Sequence, residues 1–128
     1  MAALVRVDAA LANLRTATQQ DVAAEELTLT AQVAIETFAT DHSGSYAAAN
    51  GKPSVLHAYE SLIPIRPPGK GLPYLSAVRS TSRSYTVTTM SASGDTFSVT
   101  RTASGNIAQS CTPRHGTRGK CLNGRWRT

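Results

Sequence analysis

Glycine and proline are both absent from the first 40 residues, which consist mainly of Ala, Leu, Val, Thr, Gln and Glu. These two residues break helices most strongly, so a long stretch without them favours a continuous helix. Asp41, His42 and Ser43 then lead to Gly44, which is suited to the left-handed conformation that follows a last helical turn. The sequence therefore predicts a helix over residues 3–41.

A long apolar run is also missing, because Arg6 and Asp8 interrupt the apolar residues near the start. A membrane-spanning helix needs about 20 apolar residues, and a secretory signal needs an apolar core of about 7–15. Neither segment is predicted within this sequence. If the protein is exported, we expect an address segment to have preceded Met1.

Acidic residues are nearly absent from the second half of the chain. After residue 60 the sequence contains one acid, Asp95, and ten Lys and Arg residues. The first 60 residues carry seven acids against three bases. The net charges of the two halves are therefore −4 and +9. This split favours contacts between unlike halves of neighbouring molecules, or contacts with polyanions.

Cysteine occurs only as Cys111 and Cys121, and no CxxC spacing is present. A Cys/His metal site would have His115 nearby but would lack a fourth ligand, so we expect no metal. A disulfide is the simpler interpretation, and closing its loop would contribute roughly 3 kcal/mol to stability. It implies an oxidising compartment and hence an exported protein.

The predicted helix carries two apolar stripes at helical spacing. The first comprises Leu4, Val7, Leu11 and Leu14, and the second comprises Leu27, Ala31, Ile35 and Phe38. A straight helix of this length would extend about 57 Å, beyond the diameter of about 35–40 Å expected for the domain. The first stripe would then need a partner chain, and we call it the assembly face. The alternative is a break near Gln20, with the two halves folded back as a hairpin.

Residues 84–110 alternate apolar and polar side chains in short runs that turns containing Gly separate. We predict an antiparallel meander of three to four strands packed on the second stripe. The inward side chains would be Tyr85, Val87, Phe97, Val99 and Ile107. Residues 45–83 contain a Pro-rich stretch and are predicted to be a connecting loop. With the disulfide tail at 111–128, the chain is predicted to form one α+β domain, 1–128.

This order of parts resembles the type IV pilins and the type II secretion pseudopilins. The resemblance covers nearly the whole chain and rests on residues 10–17 (ALANLRTA), residues 35–46 (IETFATDHSGSY), the strands at 85–89 and 96–101, and the two cysteines. It implies a structural subunit of an extracellular filament that serves adhesion, motility, secretion or DNA uptake. Its partners would be further copies of the chain and related minor pilins, with membrane contact only through a hydrophobic segment before Met1.

Catalytic and cofactor motifs are not predicted. Asp41, His42 and Ser43 are adjacent, so they cannot form a nucleophile–base–orienter geometry, and no GxSxG motif accompanies them. Major pseudopilins resemble calcium binders through acids in their C-terminal loops, but Asp95 stands alone here, so we expect no calcium. We expect no enzyme activity and no cofactor.

The C-terminal tail combines positive charge with one aromatic side chain. Its basic and aromatic residues are Arg114, Arg118, Lys120, Arg125, Trp126 and Arg127. Such a patch could hold DNA or an anionic surface polymer. The alternative is electrostatic assembly, in which the tail docks on the acidic helical half of a neighbouring subunit. A polyanion-binding exported module is thus the second functional hypothesis.

Overall fold

The computed structural model describes residues 16–114, 119–122 and 124–126. Helix α1 (Ala17–Thr40) is followed by a 3₁₀ turn (Ala47–Ala49) and a short helix α2 (Pro53–Tyr59). Six strands follow: β1 (Tyr74–Ser80), β2 (Tyr85–Met90), β3 (Thr96–Arg101), β4 (Ile107–Thr112), β5 (Cys121–Leu122) and β6 (Arg125–Trp126). The first four strands form one antiparallel sheet in sequence order, and β5 pairs with β6. The predicted α+β fold with an antiparallel meander is confirmed.

Helix α1 has a defined start and a defined end. The backbone N–H of Gln19 donates to Thr16 Oγ1 at 3.2 Å, and the N–H of Thr16 donates to Gln19 Oε1 at 3.1 Å, which is a capping box. The helix has 24 residues, or about 36 Å at 1.5 Å per residue. At its other end Gly44 adopts a φ of 81°, and its N–H donates to Ala39 O at 2.7 Å.

The start of α1 bears directly on the predicted helix 3–41. Thr16 has an extended backbone with ψ 158°, so one uninterrupted helix does not run through this residue. Gln20 lies inside α1, and the helix is continuous there. The assembly face (Leu4, Val7, Leu11 and Leu14) lies outside the described residues.

The hydrophobic core lies between α1 and the sheet. The second stripe is buried at Ala31, Ile35 and Phe38, and Leu27 packs against the same cluster. Its partners in the sheet form a rank of three valines that are paired in register across β1, β2 and β3, namely Val78, Val87 and Val99. Further members of the cluster are Tyr46, Ala49, Leu56, Ile63, Leu75 and Tyr85.

Strand β4 is the exception in this core. Tyr85, Val87, Phe97 and Val99 are buried as predicted, whereas Ile107 is 48% exposed. Helix α1 lies over β1, β2 and β3. A helix is about 10 Å wide and strands lie about 4.8 Å apart, so one helix covers about three strands. Ile107, on the fourth strand, therefore stays in contact with water.

The prediction of a connecting loop over residues 45–83 is wrong at Tyr74–Ser80, which form β1. This strand pairs with β2 from Tyr74↔Met90 to Ser80↔Tyr85, and the register shifts between Leu75 and Ala77. The shift interrupts the alternation of buried and exposed side chains, so the period-two signal is weak in the sequence. The Pro-rich stretch ends just before the strand, at a position that proline tolerates.

Glu36 joins the loop after α1 to the sheet. The hydroxyl of Tyr46 donates to Glu36 Oε1 at 2.6 Å, and that of Tyr85 donates to Glu36 Oε2 at 2.9 Å. Burial, reinforced by these bonds to a carboxylate, raises the pKa of both tyrosines. The two rings also meet edge to face, with centroids 4.9 Å apart. Both tyrosines therefore stay protonated and hold the chain reversal at the end of α1.

The predicted disulfide is confirmed between Cys111 in β4 and Cys121 in β5. Both cysteines are buried and form a second hydrophobic cluster with Ala24 of α1 and Phe97 of β3. The cluster connects the tail to the end of the domain where α1 begins. Among the described residues, no helix is both long enough and apolar enough to cross a membrane.

Removing the disulfide should destabilise the domain without changing its fold. We expect Cys111→Ala combined with Cys121→Ala to lower the free energy of unfolding by about 3 kcal/mol, because the unfolded chain is no longer constrained by the closed loop. Urea unfolding with and without reductant measures this loss. The reductant should lower the stability of the wild type and leave the double variant unchanged; an equal response of both proteins would contradict the expectation.

Candidate functional site

The disulfide tail is attached to α1 through a buried carboxylate. Asp21 lies near the start of α1 and is 0% exposed. Its Oδ1 accepts a hydrogen bond from Ser93 Oγ at 2.6 Å, and its Oδ2 accepts one from the backbone N–H of Lys120 at 2.8 Å. Helix α1, the β2–β3 turn and the tail therefore meet at one side chain.

A second carboxylate holds the tail on the other side of residues 115–118. Asp95 is 5% exposed, and its Oδ1 accepts from the backbone N–H of Arg114 at 2.8 Å. Its own N–H donates to Ser93 Oγ at 3.1 Å. Hydrogen bonds to a buried charged group contribute about 1.5–3 kcal/mol each. We call Asp21, Ser93, Asp95 and Gly119 the tail anchor.

Gly119 is the member of the tail anchor that allows the others to come close. A Cβ atom at this position would lie 1.8 Å from Asp21 Oδ2 and 2.8 Å from Asp95 Oδ2. Neither distance is possible for real atoms. Only glycine therefore lets the tail backbone reach both carboxylates.

Glu25 lies beside the tail anchor, one turn after Asp21. Burial raises the pKa of Glu25 to about 6, although the positive charge of Lys120 opposes the rise; Asp21 and Glu26 add to it. Its Oε2 atom is enclosed and has no hydrogen-bond partner among the described residues. Glu25 is therefore a carboxyl group with a raised pKa at the place where the acidic helix meets the basic tail.

This group of acids does not form a metal site. Across residues 16–114, 119–122 and 124–126, no three His, Cys, Asp or Glu side chains are arranged to hold a metal ion. Asp21 and Asp95 both use carboxylate oxygens to accept bonds from the chain itself. The chemistry of the tail anchor is attachment of the tail.

The residues predicted to bind polyanions are only partly brought together. Arg118 and Arg127 lie outside the described residues. Arg114 and Arg125 are exposed, whereas Lys120 is half-buried near Glu25. The Trp126 ring turns inward: it meets Phe97 edge to face at 5.7 Å, and its Nε1–H donates to Ser110 O at 2.7 Å.

Helix α1 also carries three exposed apolar side chains on its outer side, among polar residues. Val22, Leu29 and Val33 are 37%, 41% and 66% exposed and, at steps of seven and four residues, lie on one side of the helix. We call them the outer stripe. A hollow of about 300 Å³ adjoins this side of α1. It is lined by Ala23, Glu26, Leu27, Thr30, Leu62, Pro64, Leu72 and Pro73.

The sequence reasoning missed both the outer stripe and the tail anchor. The outer stripe has a recognisable helical spacing, but it runs through a segment that reads as polar because Thr, Gln and Glu surround it. The tail anchor joins Asp21 to Lys120 across 99 positions of sequence. No local pattern could have predicted that contact.

Gly119→Ala should destabilise the domain through its clash with Asp21. We expect a loss of about 2 kcal/mol in the free energy of unfolding, as for other overpacked sites. In an Asp21→Ala background the main obstacle is gone, so the same substitution should cost clearly less. Urea unfolding of the four proteins in this double-mutant cycle measures the difference. An equal cost in both backgrounds would mean that the two residues do not interact.

Glu25→Gln should remove a pH dependence of stability. The pKa of Glu25 is raised from 4.5 to about 6 on folding, so the folded state binds the proton more tightly, and stability decreases as pH rises from about 4.5 to 6. Glu25→Gln should raise the free energy of unfolding at pH 7. Because Glu25 is partly exposed, solvent screening limits this increase to about 1 kcal/mol or less. Unfolding curves from pH 4 to pH 8 measure it, with Glu26→Gln as the control. A wild-type profile parallel to that of Glu25→Gln would count against this assignment.

Comparison with known proteins gives no further assignment. No protein-family model, no curated protein sequence and no solved structure matches this chain. The function therefore has to be inferred from the residues and their geometry.

Proposed function

We propose that the chain is a structural subunit of an extracellular filament of the type IV pilus kind, which assembles with other copies through α1. The observation that carries this proposal is that α1 carries apolar side chains both on its buried side and, at Val22, Leu29 and Val33, on its outer side. One side is buried against the sheet, and the other presents the outer stripe to solvent. The resemblance to pilins implies the same use of an N-terminal helix.

The protein's own sheet cannot bury the outer stripe. Full burial of a Val or Leu side chain contributes about 1.5–3 kcal/mol, and the second side of α1 faces away from the protein's own sheet. Several exposed apolar side chains on one side of a helix are typical of interaction surfaces. Leu62, which is 83% exposed, is a further exposed apolar residue and lines the hollow beside α1.

Charge complementarity favours a second copy of the chain as the partner. Glu26 lines the hollow beside the outer stripe, and the first 60 residues carry a net charge of −4. The remaining residues carry +9. The acidic helical half of one copy and the basic half of another therefore attract each other, which orients subunits head to tail. Such a heterologous contact is one that builds helical filaments.

The disulfide supports the extracellular part of the proposal. Disulfides persist in oxidising compartments and are rare in the cytosol. The Cys111–Cys121 bond lies in a tail that the hydrophobic core covers only at one end. Stability of the tail in an extracellular setting would rest on this bond and on the tail anchor. We propose no catalytic role.

Polyanion binding through the tail is less well supported as the function. A binding patch needs side chains that are free to meet phosphates or bases. The ring of Trp126 packs on Phe97, and Lys120 lies near the negative charge of Glu25. Among the described tail residues, the exposed cations are Arg114 and Arg125.

Self-association of the full chain tests the proposal. We expect concentration-dependent association in sedimentation experiments, because burial of the outer stripe is favourable. Leu29→Glu combined with Val33→Glu should weaken it by at least about tenfold, since two charges would enter an apolar contact. Electron microscopy of concentrated samples checks that the associated species are filaments.

Ile107→Glu is the matched control, because Ile107 is a similarly exposed apolar residue on β4, away from α1. It should leave association unchanged. A chain that stays monomeric at millimolar concentration, or an equal loss from Ile107→Glu, would overturn the proposal.

A further inference from the structure

A groove of about 740 Å³ lies along β1 and the adjoining ends of β2 and β3. No residue of α1 lines it, so it is separate from the outer stripe. Its lining mixes apolar and polar groups, and its polar and charged members include Asn50, Arg79, Thr81, Thr86, Thr100 and Arg101. We call it the polar groove.

Strand register places three of these side chains next to each other. Arg79 pairs with Thr86, and Thr86 pairs with Thr100, on the side of the sheet opposite the valine rank of the core. The hydroxyls of Thr86 and Thr100 lie 2.9 Å apart. A hydroxyl has one donor and two acceptor positions, so each retains capacity for a ligand. Neighbouring strands repeat these groups about every 4.8 Å.

The polar groove is positively charged. Its lining contains two arginines, Arg79 and Arg101, and neither Asp nor Glu. Arg79 is exposed. The Arg101 guanidinium is held in place because its Nη1 donates to the carbonyls of Arg83 and Thr102, and its Cζ lies 5.5 Å from the centre of the Tyr46 ring. Arg101 follows Val99 by two residues and therefore points to the helix side of the sheet, so Arg79 is the cation that the open face of the groove offers to a ligand.

We propose that the polar groove binds a saccharide chain that carries carboxylate or sulfate groups. The guanidinium of an arginine can donate two parallel N–H hydrogen bonds to such an anion. Thr and Ser hydroxyls and the amide of Asn50 match the hydroxyls of the sugar rings. Asn50 is oriented for this, because its Oδ1 accepts from the N–H of Ser80 at 2.8 Å.

Single-stranded nucleic acid fits the polar groove less well. Binding of this kind relies on aromatic rings on which bases stack. The aromatic residue in the lining is Tyr85, which is 2% exposed and whose hydroxyl donates to Glu36. A groove with an exposed arginine and several hydroxyls but without an open ring favours a sugar polymer. The inference does not depend on filament assembly, since every lining residue belongs to one chain.

Binding of defined probes to the isolated chain tests the proposal. The probes are a sulfated heparin hexasaccharide, a hexamer of galacturonic acid, neutral maltohexaose and a short single-stranded DNA, measured at low salt by calorimetry and by backbone amide NMR shifts. We expect at least one acidic saccharide to bind and to shift amides of residues 76–81 and 100–102. Maltohexaose should not bind, because it offers no anion to Arg79.

Arg79→Gln should weaken that binding by about tenfold, the effect of losing one charge-assisted pair. Arg66→Gln removes the same charge from an exposed loop outside the groove and should change affinity by less than about twofold. Both variants should retain the circular dichroism spectrum of the wild type. The proposal is overturned if neither acidic saccharide binds, if both variants lose affinity equally, if Arg125→Gln alone abolishes binding, or if DNA binds the groove more tightly than both saccharides.

Discussion

The structure depends on one helix covering one face of a four-stranded sheet. The buried side of α1 provides apolar surface for Val78, Val87 and Val99, and Ala49 of the 3₁₀ turn and Leu56 of α2 belong to the same cluster. A single helix is about as wide as three strands, so the fourth strand is exposed to water except at Cys111, which is buried beside Ala24. Ile107 on β4 is exposed for this reason, and the chain has to stabilise that edge by means other than a core.

The edge is stabilised by covalent and polar bonds near the start of α1. The Cys111–Cys121 disulfide joins β4 to β5, and Asp21 and Asp95 bind the tail backbone on either side of residues 115–118. Buried carboxylates are costly unless fully bonded, and the close approach that bonding requires leaves room only for Gly119. Glu25 lies in the same acidic neighbourhood, where burial raises its pKa to about 6.

The two proposed surfaces lie on different parts of the molecule and would bind their partners through different interactions. The outer stripe on α1 is apolar, and its covering by another copy would remove exposed hydrocarbon from water. The polar groove along β1 is cationic and rich in hydroxyls, which suits a hydrated, charged ligand. The two surfaces share no residue, because no residue of α1 lines the groove.

The sequence by itself determined the helix end near Thr40, the apolar stripe that becomes the core side of α1, the strands β2 and β3, and the disulfide, because each depends on local spacing or on a single cysteine pair. Tertiary structure decided the rest. A register shift in β1 weakens the alternating pattern by which the strand could be predicted. Ile107 is exposed because one helix covers only about three strands. Asp21 meets Lys120, and Arg79 meets Thr86 and Thr100, only after the chain has folded, since contacts between distant residues leave no periodic trace in sequence.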